Sequence, residues 1–125
     1  MKITIEFIDH SAQRYETCGD YWADKKGNWH IKVSKMGSPV CQKLVAVHEL
    51  VEFILTDWKG ITEQSIMDFD EKFEAKRKKG NNDEPGFDKN APYKNEHAIA
   101  TAVELIMCAH MGISWKEYEE KINSL

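Results

Sequence analysis

The stretch "LVAVHELVEFIL", residues 44 to 55, constrains this chain more than any other. Leu44, Val45, Ala46, Val47, Leu50, Val51, Phe53, Ile54 and Leu55 make a helix apolar on nearly every side. A helix apolar all round is a buried one. Yet it also carries His48, Glu49 and Glu52, and burying two carboxylates without partners costs several kcal/mol each. The fold must bring compensating groups to this helix. At about 100° per residue, His48 and Glu52 lie roughly 40° apart and one turn along, so they share a face, with Glu49 roughly 60° from Glu52 on its flank.

Two readings meet this requirement. In the plain one, His48 and Glu52 form an i,i+4 ion pair and Glu49 reaches solvent. In the other the helix holds a metal. Ligands at i and i+4 with an acid at i+1 is the HExxH arrangement, in which the i+1 glutamate stays off the metal and takes a proton from bound water. Here Glu52 stands where the second histidine would be.

A second stretch has the same peculiarity. In "APYKNEHAIATAVELIMCAHMG", residues 91 to 112, the run from Ala98 to Cys108 is apolar except for Thr101 and Glu104. His97, Thr101 and Glu104 fall on one stripe, and Tyr93 lies one turn before His97 on nearly the same side. Two such helices packed together would solve each other's charge problem around a cation. Catalytic zinc sites commonly use three protein ligands, and two histidines with one glutamate is a familiar set. His48, Glu52 and His97 supply it, with Glu49 as general base. Glu104 either holds the ring of His97 from behind or ligates directly. Glu96 points about 100° away from His97 and reads as a solvated charge at the helix N-terminus. The plain alternative for this helix is a His97–Glu104 contact in a core.

The remaining chain frames these helices. "KITIEFID" (residues 2 to 9) alternates as a strand, and Tyr21 to Ala23, "DKKGN" and Trp29 to Ser34 read as a hairpin. Ser38 and Pro39 open the first helix, which runs to about Trp58 before Gly60. A second helix spans about Thr62 to Lys79. A polar loop over about 80–90 reads as functional or mobile. A third helix opens at Pro92 and reaches Met111, with Gly112 as its C′ residue. "SWKE" is a capping box for a short last helix. His30 is expected to face solvent, and His10 and His110 have no partner at ligand spacing. The expectation is a single α+β domain over 1–125, with a small N-terminal antiparallel sheet over about 1–36 and three to four helices over about 38–125.

Composition narrows the function classes. The 42% apolar and 30% charged residues fit a soluble globular protein with one modest core, and a net charge of −4 argues against a nucleic-acid binder. The basic run Lys76-Arg77-Lys78-Lys79 reads as a solvated helix end. No apolar run is long enough to span a bilayer and no signal peptide opens the chain. Three isolated cysteines, Cys18, Cys41 and Cys108, suit a reducing cytoplasm, and the absence of CxxC spacing argues against a cysteine zinc site.

The combination "HELVE", "EPG", "APYKNEHAIATAVE" and "LIMCAHMGISWKEYE" resembles a group of small proteins of tailed bacteriophages and prophages, from "RYETCGDYW" to "SWKEYE". The resemblance implies the cytoplasm of a host cell. Over about thirty residues, strand followed by HExx[HE] helix, the chain also resembles the short zincin-type, gluzincin-like metallopeptidases, including those encoded beside phage repressors. That second resemblance implies a minimal zincin-like core, His48 as ligand and Glu49 as base, and a strand just before the metal helix (here Trp29 to Ser34) as an edge that pairs with an extended substrate. The departure is Glu52. A carboxylate-rich site accepts Mn²⁺, Fe²⁺ or Ni²⁺ as readily as Zn²⁺.

The expected function is therefore a metal-dependent hydrolase acting on a peptide or protein. One divalent transition metal, Zn²⁺ foremost, would lower the pKa of a bound water, Glu49 would move the proton, and Tyr93 would help stabilise the oxyanion. Two alternatives stay open. One is a nucleotide or phosphate-ester hydrolase using Glu49, Glu52, His97 and Glu104 around two metals. The other is a non-catalytic phage binding protein with a structural metal or buried charge network, presenting Tyr15, Tyr21, Trp22 and Trp29 as a binding face.

Overall fold

A computed structural model describes residues 1–125. The fold is α+β: a three-stranded N-terminal sheet followed by four helices. The strands are β1 (Ile3–Ile8), β2 (Gly19–Ala23) and β3 (Trp29–Ser34). The helices are α1 (Pro39–Lys59), α2 (Glu63–Ala75), α3 (Lys94–Met111) and α4 (Trp115–Asn123), with short 3₁₀ turns at His10–Ala12 and Pro85–Phe87.

β2 and β3 form the expected hairpin, pairing Gly19 with Val33 and Ala23 with Trp29. Its turn is held by Asp24, whose Oδ1 accepts from the amides of Lys26 and Asn28 at 2.8 and 3.0 Å. The sheet as a whole is mixed, not wholly antiparallel: β1 runs parallel to β3, from Ile3 opposite Trp29 to Ile8 opposite Ser34. The cause is the segment between β1 and β2, too long for a tight hairpin, which carries the chain across to the far side of β3. The strand order is β1-β3-β2. β3 is thus the central strand and not the expected edge, and its inward row of Ile31 and Val33 has no exposed surface.

α1 lies over β2 and β3 and against α3. It starts where expected, with the Ser38 side chain accepting from the Cys41 amide and Pro39 at its first position, and stops at Gly60 in the left-handed region, φ 75°. Phe53 anchors it to the sheet, stacked on Trp29 at 3.9 Å and on Tyr21 at 4.7 Å between ring centroids. Tyr21 and Trp29 are buried in this core, so they offer no aromatic binding face. β1 lies beyond the cover of α1, and its Ile3, Ile5 and Phe7 are partly exposed.

α2 ends at Ala75, a turn earlier than expected. Arg77 turns back, pairing with Glu74 at 2.7 Å and donating to the carbonyls of Asn81 and Asp83 at 2.6 and 2.7 Å. One residue of the basic run therefore holds the following loop. No helix is long and apolar enough to cross a membrane.

Candidate metal centre

α1 and α3 meet with their polar residues facing each other. His48, Glu52 and His97 are all buried, and each offers one ligand atom to a common point. His48 Nε2 lies 3.0 Å from Glu52 Oε2, His97 Nδ1 lies 2.9 Å from the same oxygen, and the two nitrogens are 3.1 Å apart. Metal–nitrogen bonds of about 2.0–2.1 Å at tetrahedral angles set ligand–ligand separations of about 3.3 Å. The triangle observed is close to that size.

The groups behind the rings fix which nitrogen faces inward. Glu104 of α3 bonds His48 Nδ1, and the Tyr118 hydroxyl of α4 donates to the other oxygen of Glu104. A neutral His48 that gives its Nδ1 proton to Glu104 must turn its Nε2 lone pair toward Glu52. His97 Nε2 faces Glu84 at 3.5 Å, within ion-pair range though without hydrogen-bond geometry. This leaves His97 Nδ1 for the centre. Glu52 is held from behind by the Tyr21 hydroxyl at 2.9 Å from Oε1. Three lone pairs thus converge on one spot, an arrangement that repels itself unless a cation or protons occupy it. This buried His48–Glu52–His97 group could hold a metal ion.

The titration behaviour agrees. Burial works against charge on His48, but its bonds to Glu104 and Glu52 outweigh it and hold the imidazole pKa well above the usual value. Burial likewise opposes charge on His97, but Glu52 and Glu84 raise it to about 9. Burial also opposes charge on Glu52, and the two histidines pull it below the ordinary carboxylate range. Without metal the centre stores protons.

Glu49 stands beside this triad. It lines a cleft of about 320 Å³ together with His48, Glu52 and His97. No protein group hydrogen-bonds its carboxylate, and burial, with the neighbouring Glu52 charge second, pushes its pKa up. Gly19 of β2 makes room for it: a Cβ there would lie 2.6 Å from Glu49 Oε1. A cation held by the neighbouring triad would favour the ionised form of this carboxyl, and only that form can accept a proton.

The other expected residues fall differently. Glu104 holds His48 across the α1–α3 contact, not His97 on its own helix. Glu84, in the loop, takes the place behind His97. Tyr93 is buried and donates to Asp70, which also accepts from Tyr15 at 3.3 Å, so its hydroxyl is committed away from the triad. Glu96 is buried instead of solvated. His10 bonds Ser34 and Glu16, and His30 bonds Asp24; neither joins the centre.

Sequence reasoning missed four contributors: Tyr118, Tyr21, Glu84 and Gly86. Gly86 lies in the Pro85–Phe87 turn, with the His97 ring packed directly on its Cα and Phe87 edge-on to that ring at 4.6 Å. The loop expected to be mobile therefore carries a turn seated on a site residue. The "EPG" triplet was visible in the sequence, but nothing local tied it to His97.

Compared with protein-family models, curated proteins and solved structures, the chain gives no match.

Proposed function

We propose that the protein is a metal-dependent hydrolase acting on a peptide. The observation that supports this best is the pairing of converged ligand atoms with an unbonded Glu49 at the wall of an open cleft. A structural metal site has no use for such a neighbour. His48, Glu52 and His97 would hold one divalent transition ion, Zn²⁺ foremost, and Tyr118–Glu104, Glu84 and Tyr21 would orient them. The ion would supply Lewis acidity toward a water and a carbonyl oxygen. Glu49 would accept the proton of the attacking water and return it to the leaving amine. Tyr93, bonded to Asp70, would position His97 through ring contact instead of meeting the oxyanion.

β2, not β3, is the edge strand beside the cleft, which it lines with Gly19, Asp20 and Tyr21. The amide of Ala23 is already taken by Glu63 at 2.6 Å, and the amide and carbonyl of Gly19 by the Thr17 hydroxyl at 3.3 and 2.6 Å, so an extended substrate would pair only with the middle of β2, at Tyr21. A phosphate-ester hydrolase is the weaker reading, because a cleft this acidic repels anions.

The test is metal content by elemental mass spectrometry on untagged wild type, His97→Ala and Glu49→Gln, followed by cleavage of a mixed peptide library. Near one equivalent in wild type and Glu49→Gln, lost in His97→Ala, with cleavage in wild type alone, is the expected result. A folded wild type that takes up no Zn²⁺, Mn²⁺ or Ni²⁺ would overturn the metal site. A loaded protein that cleaves nothing would overturn the hydrolase.

A further inference from the structure

The buried carboxylates that line the cleft are Asp20, Glu52, Asp70 and Glu104. Three have cationic partners. Asp20 is paired with Arg14 at 2.6 and 3.0 Å, Glu52 with both histidines, and Glu104 with His48. Asp70 is the exception. It is 7% exposed, and its two oxygens accept only from the neutral hydroxyls of Tyr15 and Tyr93. A carboxylate this deeply buried is expensive without a counter-charge. Two phenols hold it in place and leave its charge uncancelled.

The wall around it is predominantly acidic. Ten of the chain's 21 Asp and Glu residues line the cleft, but only two of its 17 Lys and Arg residues, Arg14 and Arg77, do so. Both arginines are already bonded to acids, Asp20 and Glu74. Such a cleft draws in cations and excludes anions.

We infer that the cleft receives a cationic side chain of the substrate, with Asp70 as the carboxylate that binds it. This names the substrate class of the hydrolase proposed above and rests on that reading. A second metal fits Asp70 poorly, since no histidine or further carboxylate joins it and the one group of three ligands is His48, Glu52 and His97. An ammonium or guanidinium group needs less. It takes one carboxylate, and the Tyr15 and Tyr93 oxygens, whose protons point to Asp70, keep lone pairs free to accept its remaining N–H groups.

The experiment is an NMR titration of the Zn²⁺-loaded protein with acetylated pentapeptide amides Ala-Ala-X-Ala-Ala, where X is Lys, Arg, norleucine or Glu. The Lys or the Arg peptide should bind at least tenfold tighter than norleucine, with Glu weakest. Either preference supports the inference and identifies the head group. In Asp70→Asn, compared at equal Zn²⁺ loading, the Lys or Arg preference over norleucine should fall to within about twofold. Equal binding of Lys, Arg and norleucine in wild type overturns the inference without any variant, and so does a preference that survives in Asp70→Asn. Cation-selective binding without cleavage would sink the hydrolase reading alone; cleavage blind to charge would sink this one alone.

Discussion

Replacing Gly86 with alanine should cripple the proposed metal centre although Gly86 is not among its ligands. An added Cβ would lie 2.5 Å from His97 Nδ1 and 2.6 Å from its Cδ2. Ordinary contact begins near 3.5 Å, so ring and turn would have to separate by about 1 Å. The ring has little room to retreat, because Phe87 meets it edge-on at 4.6 Å and the residue is only 7% exposed. A metal–ligand distance tolerates about 0.2 Å. The overpacking should destabilise the metal-free fold by about 1–3 kcal/mol. Displacing Nδ1 should weaken Zn²⁺ binding by about 10–100-fold, the range seen when groups supporting a ligand are lost. The assay is competition for Zn²⁺ against a chromophoric chelator, with urea melts of metal-free protein alongside. Lys89→Ala, an exposed change in the same loop, is the control. Wild-type affinity in a folded Gly86→Ala protein would show instead that the turn swings clear of His97 without disturbing it.

Metal uptake should release protons, because His48 and His97 both hold theirs above the usual imidazole range; calorimetry at pH 7 in buffers of differing ionisation enthalpy should find between one and two protons per Zn²⁺, with affinity rising as pH goes from 6.5 toward 9. Tyr118→Phe removes the donor behind Glu104 and should cost about 1–3 kcal/mol in urea melts, with about tenfold weaker metal binding. Asp70 has its pKa raised by burial, against the Tyr93 bond, from 3.8 to about 6. The folded state then binds the proton more tightly, so this group's contribution to stability falls as pH rises from about 4 to 6, by about 3 kcal/mol in all. Asp70→Asn should lack that fall in urea melts across the interval, and a variant that tracks wild type would contradict it. Gly19→Ala should spare metal content and lower turnover, because its methyl meets Glu49 and not a ligand.

The His48–Glu52–His97 group was legible because charge on an apolar helix is a local signal. His48 with Glu52, and His97 with Glu104, each break an otherwise apolar run, and helical periodicity says which way they point. Full burial of those runs was the wrong expectation, since Ile54 of α1 and Ile99, Leu105 and Ile106 of α3 are exposed. What periodicity cannot say is how two helices cross. Glu104 shares a stripe with His97 on its own helix, yet it bonds His48 on the other. The edge role of β3 failed for a related reason: a strand's position in a sheet depends on where β1 returns, and the alternation of Trp29, Ile31 and Val33 is the same for an edge or a centre. Tyr118 and Ile122 mark α4 as amphipathic, which predicts burial but not a partner. Glu84 and Gly86 lie in a polar loop with no periodicity at all, so only the folded chain reveals them.

The triad is drawn from segments far apart in the chain: Glu52 and His97 are 45 residues apart in sequence. Neither α1 nor α3 carries the whole group, so an ion bound there would find its full site only once the two helices have docked. Closing that loop costs chain entropy before the contact between the helices offsets it. Capture of the ion should therefore come late in folding, and its release should be gated by the parting of α1 and α3 instead of by fraying of either helix.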